Sequence, residues 1–391
     1  MRFPEFSGEW EKTTIGKCCG NLEYGMNAAA KTFDGVNKYI RITDIDEDTS
    51  SYIQSDIVSP DARLDEIQTY ILKKNDILFA RTGASTGKTY LYRPDDGKLY
   101  FAGFLIRANV KENYNSRFVF LQTKTSSYKR WVAIMSTRSG QPGINSQEYS
   151  SYSFKAPTLK EQNKIADIFR LLDERIATQI KIIEKLESLI KGLTDDVFCC
   201  NGNIPMVRFS NLYKDAGEGG TPSTSTPEYY EGGTIPFVKI DDLTAKYLVA
   251  HKDCITEQGM QKSSAWLIPS GSVIYSNGAT IGSISINTYP ICTKQGILGI
   301  IPKDNVNVEY LYYLMTSVYF RKEIHRIITE GTMKTAYLKD INNILCPIPD
   351  IDSQKLIANK LASITVKIEL EQQVLSLLQM QKKYLLSNLF I

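Results

Sequence analysis

Histidine and cysteine are scarce and ill-placed for chemistry: two histidines and seven cysteines occur in 391 residues. No C-x-x-C is present, and the adjacent pairs Cys18, Cys19 and Cys199, Cys200 are too close for ordinary disulfide or tetrahedral zinc geometry. Cys254, Cys292 and Cys346 stand singly in apolar surroundings and are expected in cores. His251 and His325 fall outside any recognisable pattern, so a Ser/His/Asp or Cys/His site is poorly supported and no metal is expected. No two prolines are adjacent, which removes the Pro-Pro tetrapeptide that amino-methyltransferases use to hold a target base. No apolar run approaches the roughly 18 residues needed to cross a membrane. The N-terminus, MRFPEFSGEW, has no signal-peptide stretch, and a cytosolic protein is the expectation. Charge of one sign is lacking too. With 46 basic against 43 acidic residues, a net of +3 is compatible with nucleic acid and decides nothing.

What is present is repetition. Residues from Pro157 to Phe198 align without a gap on those from Pro349 to Phe390 at a constant shift of 192. Pro157, Gln162, Ile165, Ala166, Ile176, Leu186, Leu193 and Phe198 fall on identical Pro349, Gln354, Ile357, Ala358, Ile368, Leu378, Leu385 and Phe390. Both copies read as one long helix of on the order of 58 Å, free of proline and glycine inside except for Gly192. Thr158 with Glu161 forms a capping-box pattern, and the equivalent Asp350 is a good N-cap residue. Leu172, Ile176, Ile183, Leu186, Ile190, Leu193 and Val197 trace a heptad seam, matched by Ile364, Ile368, Leu375, Leu378, Leu385 and Leu389. Each seam lacks an apolar residue at one step, near Gln179 and its equivalent Glu371. Two separately buried amphipathic helices would show similar faces, but matched seams favour mutual pairing.

The segments before the helices correspond more loosely. Tyr39-Ile-Arg-Ile-Thr-Asp-Ile45 matches Phe237-Val-Lys-Ile-Asp-Asp-Leu243, each a strand-like run ending in acidic turn residues. Asp76-Ile-Leu-Phe-Ala-Arg-Thr-Gly-Ala-Ser-Thr-Gly87 matches Ser272-Val-Ile-Tyr-Ser-Asn-Gly-Ala-Thr-Ile-Gly282 with one residue deleted. Short β-branched and aromatic strands between Gly and Asn turns predict β-rich mixed domains. The fold class expected is α+β, as an internal repeat: a β-rich domain at 1–156, a long helix at 157–198, a second domain at 199–348 and a second helix at 349–391. Cys199-Cys-Asn-Gly-Asn-Ile-Pro205 reads as the linker between halves.

Two stretches invite an enzyme reading. Thr82-Gly-Ala-Ser-Thr-Gly87-Lys88-Thr89 looks like a phosphate-binding loop, but its first glycine would have to stand at residue 82. The repeat-equivalent Asn277-Gly-Ala-Thr-Ile-Gly-Ser283 keeps the glycines and loses the lysine, as a shared structural turn would. Asp215-Ala-Gly-Glu-Gly-Gly220 could pass for a cofactor loop, yet follows no convincing strand and is expected to be a flexible loop. Basic and amide residues cluster instead on corresponding turns. Lys73, Lys74, Arg81 and Lys88 are expected around the first glycine turn, and Arg130, Arg138, Gln141 and Asn145 near Ser139-Gly-Gln-Pro-Gly143. Lys239, Asn277, Lys294, Gln295, Thr332, Lys334 and Lys339 hold comparable places in the second half. Arg and Lys suit phosphates and guanine edges, and Asn and Gln suit adenine edges, although any one of them could be a solvated surface side chain.

The whole arrangement resembles the specificity subunit of type I restriction–modification systems. Gly219-Gly-Thr-Pro-Ser-Thr-Ser-Thr-Pro-Glu-Tyr-Tyr-Glu-Gly-Gly-Thr-Ile-Pro-Phe237 is similar to that family's entry into a recognition domain. Arg81 to Lys88 and Asn277 to Gly282 resemble its glycine turns, and Ala156-Pro-Thr-Leu-Lys-Glu-Gln-Asn-Lys-Ile165 resembles the start of its helical regions. The second copy departs, with Ser353-Gln354 for Glu-Gln, and the first domain lacks the Gly-Gly-Thr-Pro entry. The resemblance implies two target-recognition domains and helices paired as an antiparallel coiled coil with pseudo-two-fold symmetry. Each domain would read half of a bipartite site in double-stranded DNA, and the helices would set the gap. It further implies a non-catalytic, cytoplasmic prokaryotic subunit working with two modification (methyltransferase) subunits and with restriction subunits. S-adenosylmethionine, ATP and Mg2+ would belong to those partners, and none to this chain.

Overall fold

The computed structural model describes residues 2–63, 65–137, 143–199, 204–278, 280–328 and 335–390. Two compact units emerge, the first from residues 1–179 with 374–391 and the second from 180–373. Each long helix is therefore shared, and the two units carry the same plan.

The first unit holds strands β1 (Glu11–Thr14), β2 (Cys19–Tyr24), β3 (Ala29–Thr32), β4 (Lys38–Ile40) and β5 (Val58–Asp61). It continues with β6 (Asp76–Ala80), β7 (Thr89–Leu91), β8 (Leu99–Phe101), β9 (Leu105–Val110) and β10 (Ser153–Ala156). Its helices are α1 (Ile15–Cys18), α2 (Ser116–Gln122), α3 (Ser126–Ser136), α4 (Ser146–Ser151) and the start of α5 (Leu159–Cys199). An antiparallel sheet in the order β2-β9-β6-β7 has β6 buried throughout (Ile77, Leu78, Phe79), as the apolar run 77–80 requires of a central strand. One face of that sheet packs on Phe118, Tyr128 and Tyr149 from α2 to α4, and the same core takes Ile165 and Phe169 of α5.

In the second unit the strands are β11 (Met206–Arg208), β12 (Tyr213–Glu218), β13 (Ile235–Val238), β14 (Tyr247–Leu248) and β15 (Asp253–Ile255). After them come β16 (Val273–Ser276), β17 (Ile284–Asn287), β18 (Cys292–Thr293), β19 (Ile297–Pro302) and β20 (Leu345–Pro347). The helices are α6 (Glu257–Gln261), α7 (Val308–Thr316), α8 (Val318–Ile327), α9 (Leu338–Ile341) and α10 (Ile351–Asn388). The main sheet runs β12-β19-β16-β17-β14, with β16 central as β6 is in the first unit. The register of 192 reaches well before the long helices: α2 and α7 start on N-caps Asn115 and Asn307, and each accepts from the backbone three residues on at 2.9 Å. The strand-like runs 39–45 and 237–243 form β4 and β13, each followed by a 3-10 turn in which Asp44 or Asp242 caps the backbone of Arg41 or Lys239.

Within the first unit, the start of α5 shares a core with the end of α10, where Phe390 lies 5.6 Å from Phe118 and 6.0 Å from Phe169. Within the second, the end of α5 meets the start of α10 in one core: Phe198 lies 5.3 Å from Tyr310, and Ala358 and Leu361 belong to the same cluster. In each unit the start of one long helix thus meets the end of the other, the antiparallel order. Of the seam, Leu172, Ile183, Leu378 and Leu389 are buried, and Ile176, Leu186, Ile190, Ile364, Ile368, Leu375 and Leu385 are partly so. Leu193 departs from expectation: it is 37% exposed, and neighbouring Thr194 turns inward at 9%, its hydroxyl satisfied by Ile190 O at 2.6 Å. Gln179 fills the step that the seam lacked, only 7% exposed.

Other expectations need correcting. Glu161 makes no capping box, because its carboxylate is buried and held by Arg2 (2.7 Å and 2.9 Å) and Trp10. Asp350 does cap, accepting from the backbone of Asp352 and Ser353. Asp215–Gly220 is no flexible loop: it forms β12 and two packed glycines, and a Cβ on Gly219 would reach 2.1 Å from Thr293 O. Cys18, Cys19, Cys292 and Cys346 are buried, whereas Cys254 is only half-buried. Of the linker, Cys199 ends α5, and 200–203 lie outside the described residues. Among the described residues no helix is long and apolar enough to cross a membrane.

Candidate nucleic-acid interface

Strand β6 ends at Ala80, and the chain turns through Arg81 to Lys88 before re-entering the sheet as β7. Gly83 (φ 66°) and Gly87 (φ 89°) supply the left-handed backbone of this turn. Helices α3 and α4 clamp it. Tyr149 Oη donates to Ala80 O at 2.6 Å and accepts from Gly87 N at 3.1 Å, and Tyr128 Oη donates to Gly87 O at 3.2 Å. Burial pushes both phenols above their ordinary range, keeping them as hydrogen-bond donors. A Cβ on Gly87 would come within 2.5 Å of Val132. The turn spends its own N–H groups: Thr86 N donates to Gly83 O, Gly87 N to Ala80 O and Lys88 N to Ser85 O. A phosphate loop needs those groups free and a helix after them. A strand follows here, and Lys88 pairs with Glu47 at 3.4 Å.

Two distant segments flank the turn. Arg81 N donates to Phe104 O, and Arg81 O accepts from Ile144 N at 2.9 Å, while Thr82 pairs with Gly143. The Arg81 guanidinium lies over the ring of Tyr24 at 4.8 Å, and Tyr24 Oη accepts from Ser146 N. Tyr24 (41% exposed) and Phe104 (58%) thus join Arg81 and the helix-capping Asn145 on one surface. Arg130 is exposed on α3. Arg138 and Gln141 lie outside the described residues. Lys73 and Lys74 do not join: both precede β6, at the end of that strand opposite the turn, beside Asp76, whose carboxylate accepts from Lys73 N.

The second unit repeats the junction with other side chains. Asn277 follows β16, its N donating to Gly296 O at 3.0 Å and its O accepting from Ala336 N at 3.0 Å. Asn277, expected at the surface, is instead fully buried, and its amide donates to Ala336 O. Exposed instead are Lys294 and Gln295, just before Gly296, and Tyr337 and Lys339, just after Ala336. Lys339 Nζ stands 5.4 Å from the Tyr337 ring. Lys239 is held by Asp253 at 2.7 Å. Thr332 and Lys334 lie outside the described residues. Sequence reasoning also missed His251, whose Nε2 lies 3.5 Å from Cys254 Sγ and whose Nδ1 meets Tyr289 Oη. Among the described residues no group of three His, Cys, Asp or Glu could hold a metal.

The family described as type I restriction modification DNA specificity domain matches twice, over residues 9–188 and 201–380. The MjaIX specificity subunit of Methanocaldococcus jannaschii is 34% identical over 199 residues, which is 49% of this chain and 45% of that one, about half its length. The MjaVIII specificity subunit of the same organism is 24% identical across 100% of this chain and 93% of its own. Among solved structures, the S subunit from M. genitalium superposes with TM-score 0.60 at 16% identity, covering 98% of this chain and 96% of that one. The HsdS subunit from Thermoanaerobacter tengcongensis gives TM-score 0.51 at 20% identity, covering 96% and 95%. Those likenesses agree in fold with two β-rich units carrying shared long helices. The doubled junction and the doubled family match together place this chain in the type I restriction–modification DNA specificity family.

Proposed function

We propose that each unit reads one half of a bipartite duplex DNA target through the surface around its glycine turn. One observation carries the reading: a backbone junction built twice presents different side chains. Around the half-buried Arg81 the exposed groups are Tyr24, Phe104 and Asn145; around Asn277 they are Lys294, Gln295, Tyr337 and Lys339. A fixed scaffold with exchangeable side chains is what recognition of two unlike half-sites requires. Arginine matches the O6 and N7 edge of guanine and glutamine the N6 and N7 edge of adenine. Arg81→Ala is expected to weaken binding to the cognate site by about 1–3 kcal/mol and relax one base position of the first half-site only. Gln295→Ala should act on the second half-site alone. Competition binding with the assembled complex on single-base variants of the site reads both effects. Equal loss on unrelated DNA would reduce the surface to phosphate contact, and no loss would remove it from the interface.

The long helices serve, in this proposal, to dock two modification subunits and to fix the spacer. Apolar side chains remain exposed along α10, Val366 and Leu370 in the second unit and Leu377, Met380 and Tyr384 in the first, as a partner's helices would need. The chain is non-catalytic by itself and cytoplasmic; S-adenosylmethionine, ATP and Mg2+ act on the modification and restriction subunits. Deleting about two turns from either long helix is expected to change or abolish the permitted spacer while leaving both half-sites unaltered. Methylome sequencing of a host carrying the shortened gene tests this, and an unchanged spacer would refute the ruler role.

A further inference from the structure

The second unit contains a cavity of about 300 Å³ where α5, α7, α8 and α10 meet. Its chemistry is one-sided. The threonine and serine hydroxyls on its wall spend their hydrogens on backbone carbonyls: Thr194 on Ile190 O, Thr316 on Tyr313 O, Ser317 on Leu314 O and Thr365 on Leu361 O. What these groups have left is lone pairs, of which Ser317 gives one to Phe320 N and Thr365 stands 3.2 Å from Tyr313 Oη. Asp195 adds a carboxylate whose Oδ1 is buried without a hydrogen-bond partner among the described residues. Tyr313 brings an aromatic face and a hydroxyl that already accepts from Lys246 at 3.1 Å. Arg321 also lines the space, with Nε and Nη2 committed to Thr316 O, and Lys191 is exposed at its side. A cavity rich in acceptors, with one buried oxygen of the half-buried Asp195 carboxylate unmatched, calls for a donor-rich cation.

The internal repeat supplies a control. Subtracting 192 places Lys124 at the position of Thr316 and Asp173 at that of Thr365, and the position of Ile190 on the other long helix is Lys382. In the first unit the chain fills this junction itself. Asp173 accepts from Lys382 at 2.7 Å and from Arg117 at 2.6 Å, and the Lys124 side chain is enclosed nearby. The second unit has the space, threonine and isoleucine where those lysines stand, threonine where Asp173 stands, and a carboxylate of its own, Asp195, at the position of Ser387.

We infer that this cavity is a binding site for a guanidinium or ammonium group that the chain does not supply, with Asp195 as its counter-ion. The group comes either from a free diamine-like cation or from a basic side chain of a partner subunit, and one set of variants separates the two. Agmatine, which carries both cationic groups, is titrated into the purified full-length chain without DNA and followed by thermal unfolding. At roughly a hundred-fold excess over its dissociation constant the midpoint should rise by about 5 °C. Asp195→Asn, nearly isosteric, should abolish the shift. Thr316→Lys, which copies the first unit, should raise the midpoint without agmatine and make it unresponsive to agmatine. A tenfold weaker association of Asp195→Asn with the modification subunit would assign the cation to that partner, and unaltered association would assign it to a free cation. No agmatine response in the wild-type chain, or an equal response in Asp195→Asn, would overturn the site.

Discussion

Replacing Gln354 by alanine is expected to destabilise the second unit by about 3–5 kcal/mol, far beyond the ordinary cost of losing one hydrogen bond. Gln354 is 1% exposed, and its side chain satisfies three backbone groups at once. Its Oε1 accepts from Asn307 N at 2.8 Å, and its Nε2 donates to Pro349 O at 2.8 Å and to Asn305 O at 3.1 Å. Truncation would unpair one N–H and two carbonyls, all partly buried, at about 1–3 kcal/mol for each group left dry, less what water recovers. It would also unhinge the start of α10 from the N-terminus of α7, where Asn307 is the cap. Gln162, 2% exposed, makes the same tie in the first unit, from Asn115 N at 3.0 Å to Pro157 O at 2.9 Å. Its replacement should therefore destabilise the first unit instead. Urea unfolding with a probe in each unit checks this. A change below about 1 kcal/mol would show that water substitutes for the side chain.

A second large effect depends on pH. Lys124 Nζ donates to Ser50 Oγ and Thr89 Oγ1, each at 2.6 Å, with no carboxylate among its hydrogen-bond partners. Burial, reinforced by Lys382 and Lys129, pushes its pKa down from 10.5 to about 7. The fold thus favours the neutral amine, while the unfolded chain stays protonated up to its ordinary value. Between about pH 7 and 10.5 unfolding takes up a proton, so stability rises with pH across that window and is level below it. The total is on the order of 5 kcal/mol. Lys124→Met should remove this slope and be the more stable protein near pH 7. Denaturant midpoints at pH 6.5, 8 and 9.5 decide it: a wild-type slope that survives in the variant would place the titration elsewhere.

The repeat was legible because it is written in identities at fixed spacing, and the same shift orders α2 to α4 against α7 to α9. Side-chain direction was not. Asn277 aligns with Arg81, yet the closing hydrogen bond to Ala336 draws its amide inward, while Arg81 finds a ring to lie on. Lys73 and Lys74 are near the glycine turn in sequence, but a five-residue strand carries them to its far end. Tyr24 and Phe104 escaped notice because eighty residues separate them; they come to flank Arg81 only because β2 pairs with β9, Tyr24 opposite Ile106. Leu193 fell on the heptad step, but a helix of 3.6 residues per turn drifts, and Thr194 occupies the inner face there.

The two phenylalanines that end the repeats carry one more implication. Phe390 belongs to the second repeat and completes the core around Phe118; Phe198 belongs to the first and completes the core around Tyr310, the residue equivalent to Phe118. Neither repeat closes its own hydrophobic interior. Each lends its last residues to the other, which is the bookkeeping of a domain swap held within a single polypeptide. Two identical half-length chains could make the same exchange, so the covalent joint between the repeats is a matter of making the two halves differ, not of making them fold.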